Sequence, residues 1–223
     1  MATFMPLTRR ENAYLDDLLA TPIAVERGAE LVRQGDKGHF AYVLHSGWGC
    51  SFKILLDGAR QVITFPVPGD CIGMRSVVLR TSDHAFSSLT DAVVSRIDAN
   101  RMSDVFNTFP RLGAAILWSV SRDEAITVDH LAGIGRRTAL ERTAHFFLEL
   151  TERLRLVGLF ADDAFECPLT QHDLADALGL SAIHVNRVLR QLREMELMTF
   201  KNNRVVLLDQ KKMRVLAGYE DIL

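Results

Sequence analysis

Residues 170–193 read TQHDLADALGLSAIHVNRVLRQLR. Thr170 and Asp173 stand three apart, as the two halves of a capping box do, and so mark a helix start. Leu174, Ala175 and Leu178 give that helix one apolar face. Gly179 supplies the left-handed backbone that stops it, and Ser181 is the N-cap of a second helix. Val185, Val188, Leu189 and Leu192 bury one side of the second helix. Ala182, Ile183, Asn186, Arg187 and Arg190 face the other way. Two short helices joined by a tight glycine turn, with small Ala175 at their crossing, predict a helix-turn-helix. An αα-corner inside a helical domain would not leave so polar and basic an outer face.

Downstream, Leu197–Phe200 and Arg204–Leu208 are β-prone runs joined by Lys201-Asn202-Asn203. Asparagine tolerates left-handed backbone, so the segment predicts a hairpin, and a hairpin directly after a helix-turn-helix makes a winged helix. The charge is local. The whole chain carries 26 basic and 28 acidic side chains, a net −2, but residues 181–214 hold eight basic against three acidic. Such a cationic patch is what phosphate contact requires, although a solvated helix face would also show it.

Upstream, Gly158–Pro168 is an acidic segment with Asp162, Asp163 and Glu166, which predicts a linker. Thr138–Val157 has helical spacing, with Leu140, Ala144, Phe147 and Leu148 on one face. Before it, Gly133 and Gly135 predict a hinge. Pro110 to Ile134 predicts a long helix, proline being acceptable in a first turn. Its 3/4 spacing of Leu112, Ile116, Ser119, Asp123, Ile126 or Thr127, His130 and Ile134 is a seam for a second helix, with the frame left open. Asp123 and His130 read either as solvated positions or as groups that tune the seam or respond to pH. Residues 23–98 differ in kind. β-prone runs at Ala41–His45, Ser51–Leu56, Val62–Val67 and Val93–Ile97 alternate with glycine turns, among them Asp57-Gly58, a hairpin signal. Residues 9–20 add an N-terminal helix ended by Pro22.

Composition bounds the rest. The 223 residues are 48% apolar and 24% charged, an ordinary globular balance. The three cysteines, Cys50, Cys71 and Cys167, form no CxxC pair, so neither a zinc knuckle nor a disulfide frame is expected. No signal peptide or membrane-length apolar run is evident, which predicts a soluble cytoplasmic protein. P-loop, GxSxG, HExxH and dinucleotide motifs are missing, and no enzyme is expected. Two other classes stay in view. One is a small-molecule sensor that acts through protein partners with a degenerate winged helix. The other is a cupin-type barrel with His39 and His45 as metal ligands, which lacks a carboxylate partner.

The order of parts resembles the Crp/Fnr family of bacterial transcription regulators. The resemblance rests on LTQHDLADALGLSAIHVNRVLRQLREMELM, on Glu141–Phe147, and on Gly28, Gln34-Gly35-Asp36, Tyr42-Val43-Leu44 before Gly47, and Pro68–Gly73. It implies an α+β chain with an N-terminal antiparallel, jelly-roll-like β-roll (1–109). A dimerisation helix and hinge (110–135) and a winged helix-turn-helix (136–223) would follow. It implies a homodimer on a near-palindromic stretch of double-stranded DNA, in contact with RNA polymerase. Arg187 would grip guanine O6 and N7 bidentately, and Asn186 would suit adenine or a water-mediated contact. Ala182 and Ile183 would meet thymine methyls, where better-known members are more polar. Ser181, His184, Arg190, Thr170, Lys201 and Arg204 would hold phosphates. The dimer seam would use Leu112, Ile116, Asp123, Ile126, His130 and Ile134. The family's cyclic-nucleotide cassette has Gly-Glu and then Arg-Ser, but this chain has Gly73-Met74 and then Asp83-His84-Ala85. Met74 cannot accept a ribose hydroxyl, and His84 is a poor substitute for a bidentate arginine. An effector other than cyclic AMP, or none, is therefore expected at Gly73, Met74, His84 and Ala85. Three cysteines exclude a four-cysteine iron–sulfur cluster, and no cofactor is expected. His39, His45 or His84 as an axial haem ligand and Cys71 as a sensing thiol are minor alternatives.

Overall fold

The computed structural model describes residues 6–37 and 40–220, so His39 lies outside the described residues. In chain order the elements begin with α1 (Arg9–Leu18), β1 (Pro22–Val25), β2 (Glu30–Val32), β3 (Phe40–Ser46), β4 (Gly49–Ile54), β5 (Arg60–Thr64) and β6 (Cys71–Ile72). They continue with α2 (Met74–Leu79), β7 (Ala85–Ser88), β8 (Ala92–Asp98), α3 (Ala99–Thr108), α4 (Pro110–Arg136) and α5 (Ala139–Leu156). The last are β9 (Ala164–Glu166), α6 (Gln171–Leu178), α7 (Ala182–Glu194), β10 (Met198–Lys201), β11 (Arg204–Leu207) and α8 (Gln210–Ala217). The chain divides into two compact units, Met1–Ala59 with Ile63–Ala125 and Arg60–Val62 with Ile126–Leu223. No helix among the described residues is long and apolar enough to cross a membrane.

In the first unit, two antiparallel four-stranded sheets run β1-β8-β3-β6 and β2-β7-β4-β5. Val25, Leu44, Ile72, Phe86 and Val94 meet in one buried cluster. A second cluster joins the sheet residues Ala41 and Ile97 to Leu18 of α1, Met102 and Val105 of α3, and Leu112 and Ile116 of α4. The expected Asp57-Gly58 hairpin is present. Gly58 has φ +84°, and the Leu55 N–H donates to the Ala59 carbonyl at 2.9 Å. Gly49 has a packing reason to lack a side chain, because a Cβ there would lie 2.2 Å from the Phe86 ring. That ring is only 1% exposed. Gly49→Ala is expected to cost about 1–3 kcal/mol through overpacking, read as a lowered urea midpoint of tryptophan fluorescence.

The long helix α4 carries apolar residues on more than one face, and this separates two frames that the spacing left open. Leu112 (0% exposed), Ile116 (5%) and Ile126 (6%) are buried within the protomer, and the first two belong to its own core. These three expected seam residues are therefore not available to a second chain. Asp123 lies 3.6 Å from the neighbouring Arg122 guanidinium, and His130 turns inward to Glu149. Of the expected seam, Ile134 is exposed. The stripe left uncovered lies beside that frame: Leu117, Ser121, Glu124, Val128 and Leu131 are all exposed, at alternating spacings of four and three. Helix α4 also runs unbroken through Gly133 and Gly135, where a hinge was expected. Glycine weakens a helix without breaking it. At Gly133 the missing Cβ makes room for Arg137, whose Nη1 would lie 3.3 Å from it. The chain turns only at Thr138, whose capping box with Glu141 starts α5.

In the second unit, α5 packs against α6, α7 and α8. Phe147, Leu150, Leu154, Leu174, Val185 and Leu192 are all buried. Phe147 meets Phe146 edge-on at 5.4 Å and Phe200 at 5.9 Å. The acidic segment expected to be a linker is a tight turn and a strand. Asp162 and Asp163 take left-handed φ of 50° and 55°, and β9 then pairs antiparallel with β11, giving a sheet of order β10-β11-β9. The acidic flank hid a short strand that pairs through its backbone and buries Ala164 and Phe165.

A buried charge network joins the last turns of α4 to α5. Glu149, 4% exposed, receives His130 Nε2 at 2.7 Å and Arg153 Nη1 at 3.0 Å. Asp129 receives His145 Nε2 at 2.7 Å and Arg137 Nη2 at 2.9 Å. Burial alone would push the Glu149 carboxyl up, but His130 and Arg153 outweigh it and hold it at about 2. Burial pushes the His145 imidazole down, and Asp129 opposes this only in part.

Candidate nucleic-acid interface

The helix-turn-helix is set by its caps. The Thr170 hydroxyl accepts from the Asp173 N–H at 3.2 Å and donates to Asp173 Oδ2 at 2.6 Å, while the Thr170 N–H donates to the same carboxylate at 3.0 Å. Gly179 ends α6 at φ 62°, and Ser181 Oγ accepts from the His184 N–H at 3.2 Å to start α7. Leu174 (0% exposed), Leu178 and Val185 (0%) close the inner faces. What remains outside on α7 is Ile183, 75% exposed, with Asn186, Arg187 and Arg190, also exposed. Ala182 and His184 are half-buried.

These side chains border an open groove of about 470 Å³, lined by Gln171, Ile183, Asn186, Arg187, Arg190, Arg193 and Phe200 among others. Among the described residues Arg187 has no ion pair, so its guanidinium fork is ready for an external acceptor. Arg190 holds Glu194 at 3.3 Å, with both side chains about two-thirds exposed. An exposed pair of this kind is worth ~0–1 kcal/mol, little hindrance to a phosphate. Ser181 keeps its O–H proton to donate. Thr170 differs from expectation, since its hydroxyl and its N–H are both engaged by Asp173.

The wing turn is formed by Asn202 and Asn203 at φ 51° and 57°, the paired left-handed backbone that two-residue hairpins favour. It presents exposed Lys201 and Arg204, which face each other across the ladder. Gln171, Arg193 and Phe200 line the same groove and escaped the sequence reading. Arg193 was signalled by its spacing from Arg187 and Arg190. Gln171 and Phe200 carried no such signal, because their place depends on how α6 and β10 pack beside α7.

In the first unit, Gly73 takes φ 74° before α2, and Met74 packs its side chain against the core. Asp83 holds His84 Nδ1 at 2.9 Å and Arg75 Nη2 at 3.1 Å. Ala85 is buried at the start of β7. A carboxylate thus occupies the basic groups that a cyclic phosphate would need, and Met74 and Ala85 offer no hydrogen bonds from their side chains. These residues do not fit a cyclic nucleotide. Cys71 and Cys167 are poorly placed as reactive thiols. Burial, with Asp123 and Asp70 adding to it, pushes the Cys71 thiol up to about 12, and burial pushes Cys167 to about 12. The thiolate, the reactive form, is suppressed.

Comparison with known proteins agrees with this architecture. The sequence model of the cyclic nucleotide-binding domain matches residues 22–109, and that of the Crp-like helix-turn-helix domain matches residues 141–216. Electron transport regulator A of Shewanella oneidensis is 24% identical over 212 residues, covering 95% of this chain and 84% of its own length. The nitrogen fixation regulation protein FixK of Rhizobium meliloti is 29% identical over 181 residues, covering 80% and 78%. The solved structure of FixK2 from Bradyrhizobium japonicum superposes with a TM-score of 0.81 at 24% identity, over 90% of this chain and 98% of that one. Relatives named as regulators rather than enzymes, two tandem domain matches and a capped helix-turn-helix with a wing converge on one assignment: the chain belongs to the Crp/Fnr family of transcription regulators and carries a helix-turn-helix DNA-binding domain.

Proposed function

We propose that this chain acts in the cytoplasm as a homodimer. Its two copies of α7 would enter successive major grooves of a near-palindromic operator, with half-sites ~34 Å apart. The observation that carries this reading is the exposed Ile183–Asn186–Arg187–Arg190 face of α7, bordered by the groove and the basic wing. The uncovered stripe on α4 supports the dimer. Arg187 reads guanine. Ile183 and Ala182 offer apolar contact to thymine methyls. Ser181, His184, Arg190, Lys201 and Arg204 hold phosphates and set register. RNA polymerase is the protein partner of the bound dimer. Control comes from a signal other than cyclic AMP, or the protein is constitutively competent, because Met74, Asp83 and Ala85 do not fit a cyclic nucleotide.

The test is selection of bound duplexes from a random pool, followed by binding of the best sequence over a range of salt. A near-palindrome and a steep loss of affinity with salt are expected. Arg187→Ala is expected to cost about 1–3 kcal/mol per half-site and to relax preference at one base pair in each half. Equal weakening on every sequence would make Arg187 a phosphate contact only. Failure of the intact protein to enrich any duplex would refute the proposal.

A further inference from the structure

Asn186 is not a free reader. Its Nδ2–H donates to Gln171 Oε1 at 2.5 Å, and Gln171 Nε2–H donates back to Asn186 Oδ1 at 2.5 Å. The two amides form a closed ring of two hydrogen bonds between the first turn of α6 and the outer face of α7. Gln171 is placed there by its neighbours. Thr170 and Asp173 fix the start of α6, and the buried Leu174, Ala175 and Val185 fix how the two helices cross. Gln171 also lines the groove beside Ile183, Asn186 and Arg187, so it stands where DNA is read.

An asparagine amide has two N–H donors and two acceptor lone pairs. A bidentate grip on adenine uses one of each, from the same edge of the amide: the oxygen accepts from N6–H while the N–H beside it donates to N7. That edge is the one Gln171 fills. The N–H and lone pair left to Asn186 point in different directions, so they cannot both reach one base. A single N–H donor is met equally by guanine, by thymine O4 or by adenine N7. Opening the amide ring against DNA would also leave the Gln171 amide to find a new partner as water is excluded, which is costly.

We infer that Gln171 is a specificity-determining residue: by occupying the adenine-reading edge of Asn186, it makes the base step under Asn186 degenerate and leaves discrimination to Arg187. The inference rests on the DNA-binding reading above. It differs from a phosphate-contact role for Gln171, which would change affinity but not base preference.

The experiment selects duplexes from a random pool with the full-length protein and with Gln171→Ala, Asn186→Ala and the double variant. Arg187→Ala marks the Arg187-dependent step, and the step read by residue 186 is the base pair beside it at which Gln171→Ala and the double variant differ. Both residues are exposed, and unchanged thermal midpoints are expected for all variants. Gln171→Ala should gain an adenine preference at that step of about tenfold, with the Arg187-dependent step unchanged. The double variant should match Asn186→Ala. The inference is overturned if the unsubstituted protein already prefers adenine there, if Gln171→Ala weakens all sequences equally or changes nothing, or if its new preference survives in the double variant. In each of those cases the unsubstituted protein still selects a near-palindrome. If it selects nothing, the DNA-binding reading falls, and this inference with it.

Discussion

Leu131→Glu is expected to turn the protein into a monomer and to weaken binding to a two-half-site operator by about 10²–10⁴-fold, the range lost when two linked contacts become one. Leu131 is 71% exposed, Leu117 61% and Val128 60%, and all three lie on one face of α4. In a seam formed by two such helices around a two-fold axis, each copy of residue 131 lies close to its mate. Two glutamates would then be desolvated together with like charge. Within the protomer most of this side chain is exposed, so folding should be unaffected. Sedimentation equilibrium gives the mass, and titration against a duplex carrying one half-site or two gives the affinity. A Leu131→Glu protein that remains dimeric would place the seam elsewhere. Leu112→Glu makes a useful contrast, since its side chain is fully buried in the protomer's own core. It should fail by unfolding rather than by dissociating.

The second large effect concerns stability. Glu149→Gln is expected to destabilise the second unit by about 3–5 kcal/mol, the cost of breaking a buried ion pair from one side. It removes the buried negative charge that faces the 5%-exposed Arg153 and His130. Both tryptophans, Trp48 and Trp118, lie in the first unit, so the two units can be followed separately. In urea, the far-ultraviolet dichroism of α5–α8 should be lost earlier, while the tryptophan transition keeps its midpoint. Joint movement of both transitions would mean that the network supports the whole chain. The pH dependence has a fixed sign. Glu149 is held at about 2 against an ordinary 4.5. The stability it adds is fully present above about 4.5 and is lost as pH falls toward 2. His145 is also held below its ordinary 6.5, so the unfolded chain takes up its proton first, and stability begins to fall as pH drops below 6.5. Glu149→Gln should remove the acid-side part and, because the Glu149 charge partly offsets the lowering of His145, should deepen the fall below 6.5.

These features differ in how well the sequence announced them. The helix-turn-helix was legible because its signals are local. Thr170, Asp173, Gly179 and Ser181 act on backbone within three residues of themselves, and the structure puts a cap or a left-handed turn at each of their positions. The Asn202-Asn203 turn was legible for the same reason. The face of α4 was not, because Leu112, Ile116 and Ile126 form as good an apolar row as Leu117, Val128 and Leu131. Only the packing of the roll and the second unit shows which row is already covered. Strand β9 was hidden by its acidic flank. Asn186 was read as a lone side chain, since no spacing rule ties it to Gln171 fifteen residues earlier.

The third strand of the wing sheet matters for how the reading head comes apart. Strand β9 precedes α6, while β10 and β11 follow α7, and β9 is laced to β11 through Ala164–Val206, Phe165–Val205 and Glu166–Arg204. The Cys167 N–H adds a further tie to the Asn203 carbonyl at 2.7 Å. Both ends of the helix pair are thereby knotted to the same ribbon, and neither helix has a loose end from which to peel. Amides from Phe165 to Val206 should therefore surrender deuterium protection together, at one free energy, rather than in a graded sequence from either terminus.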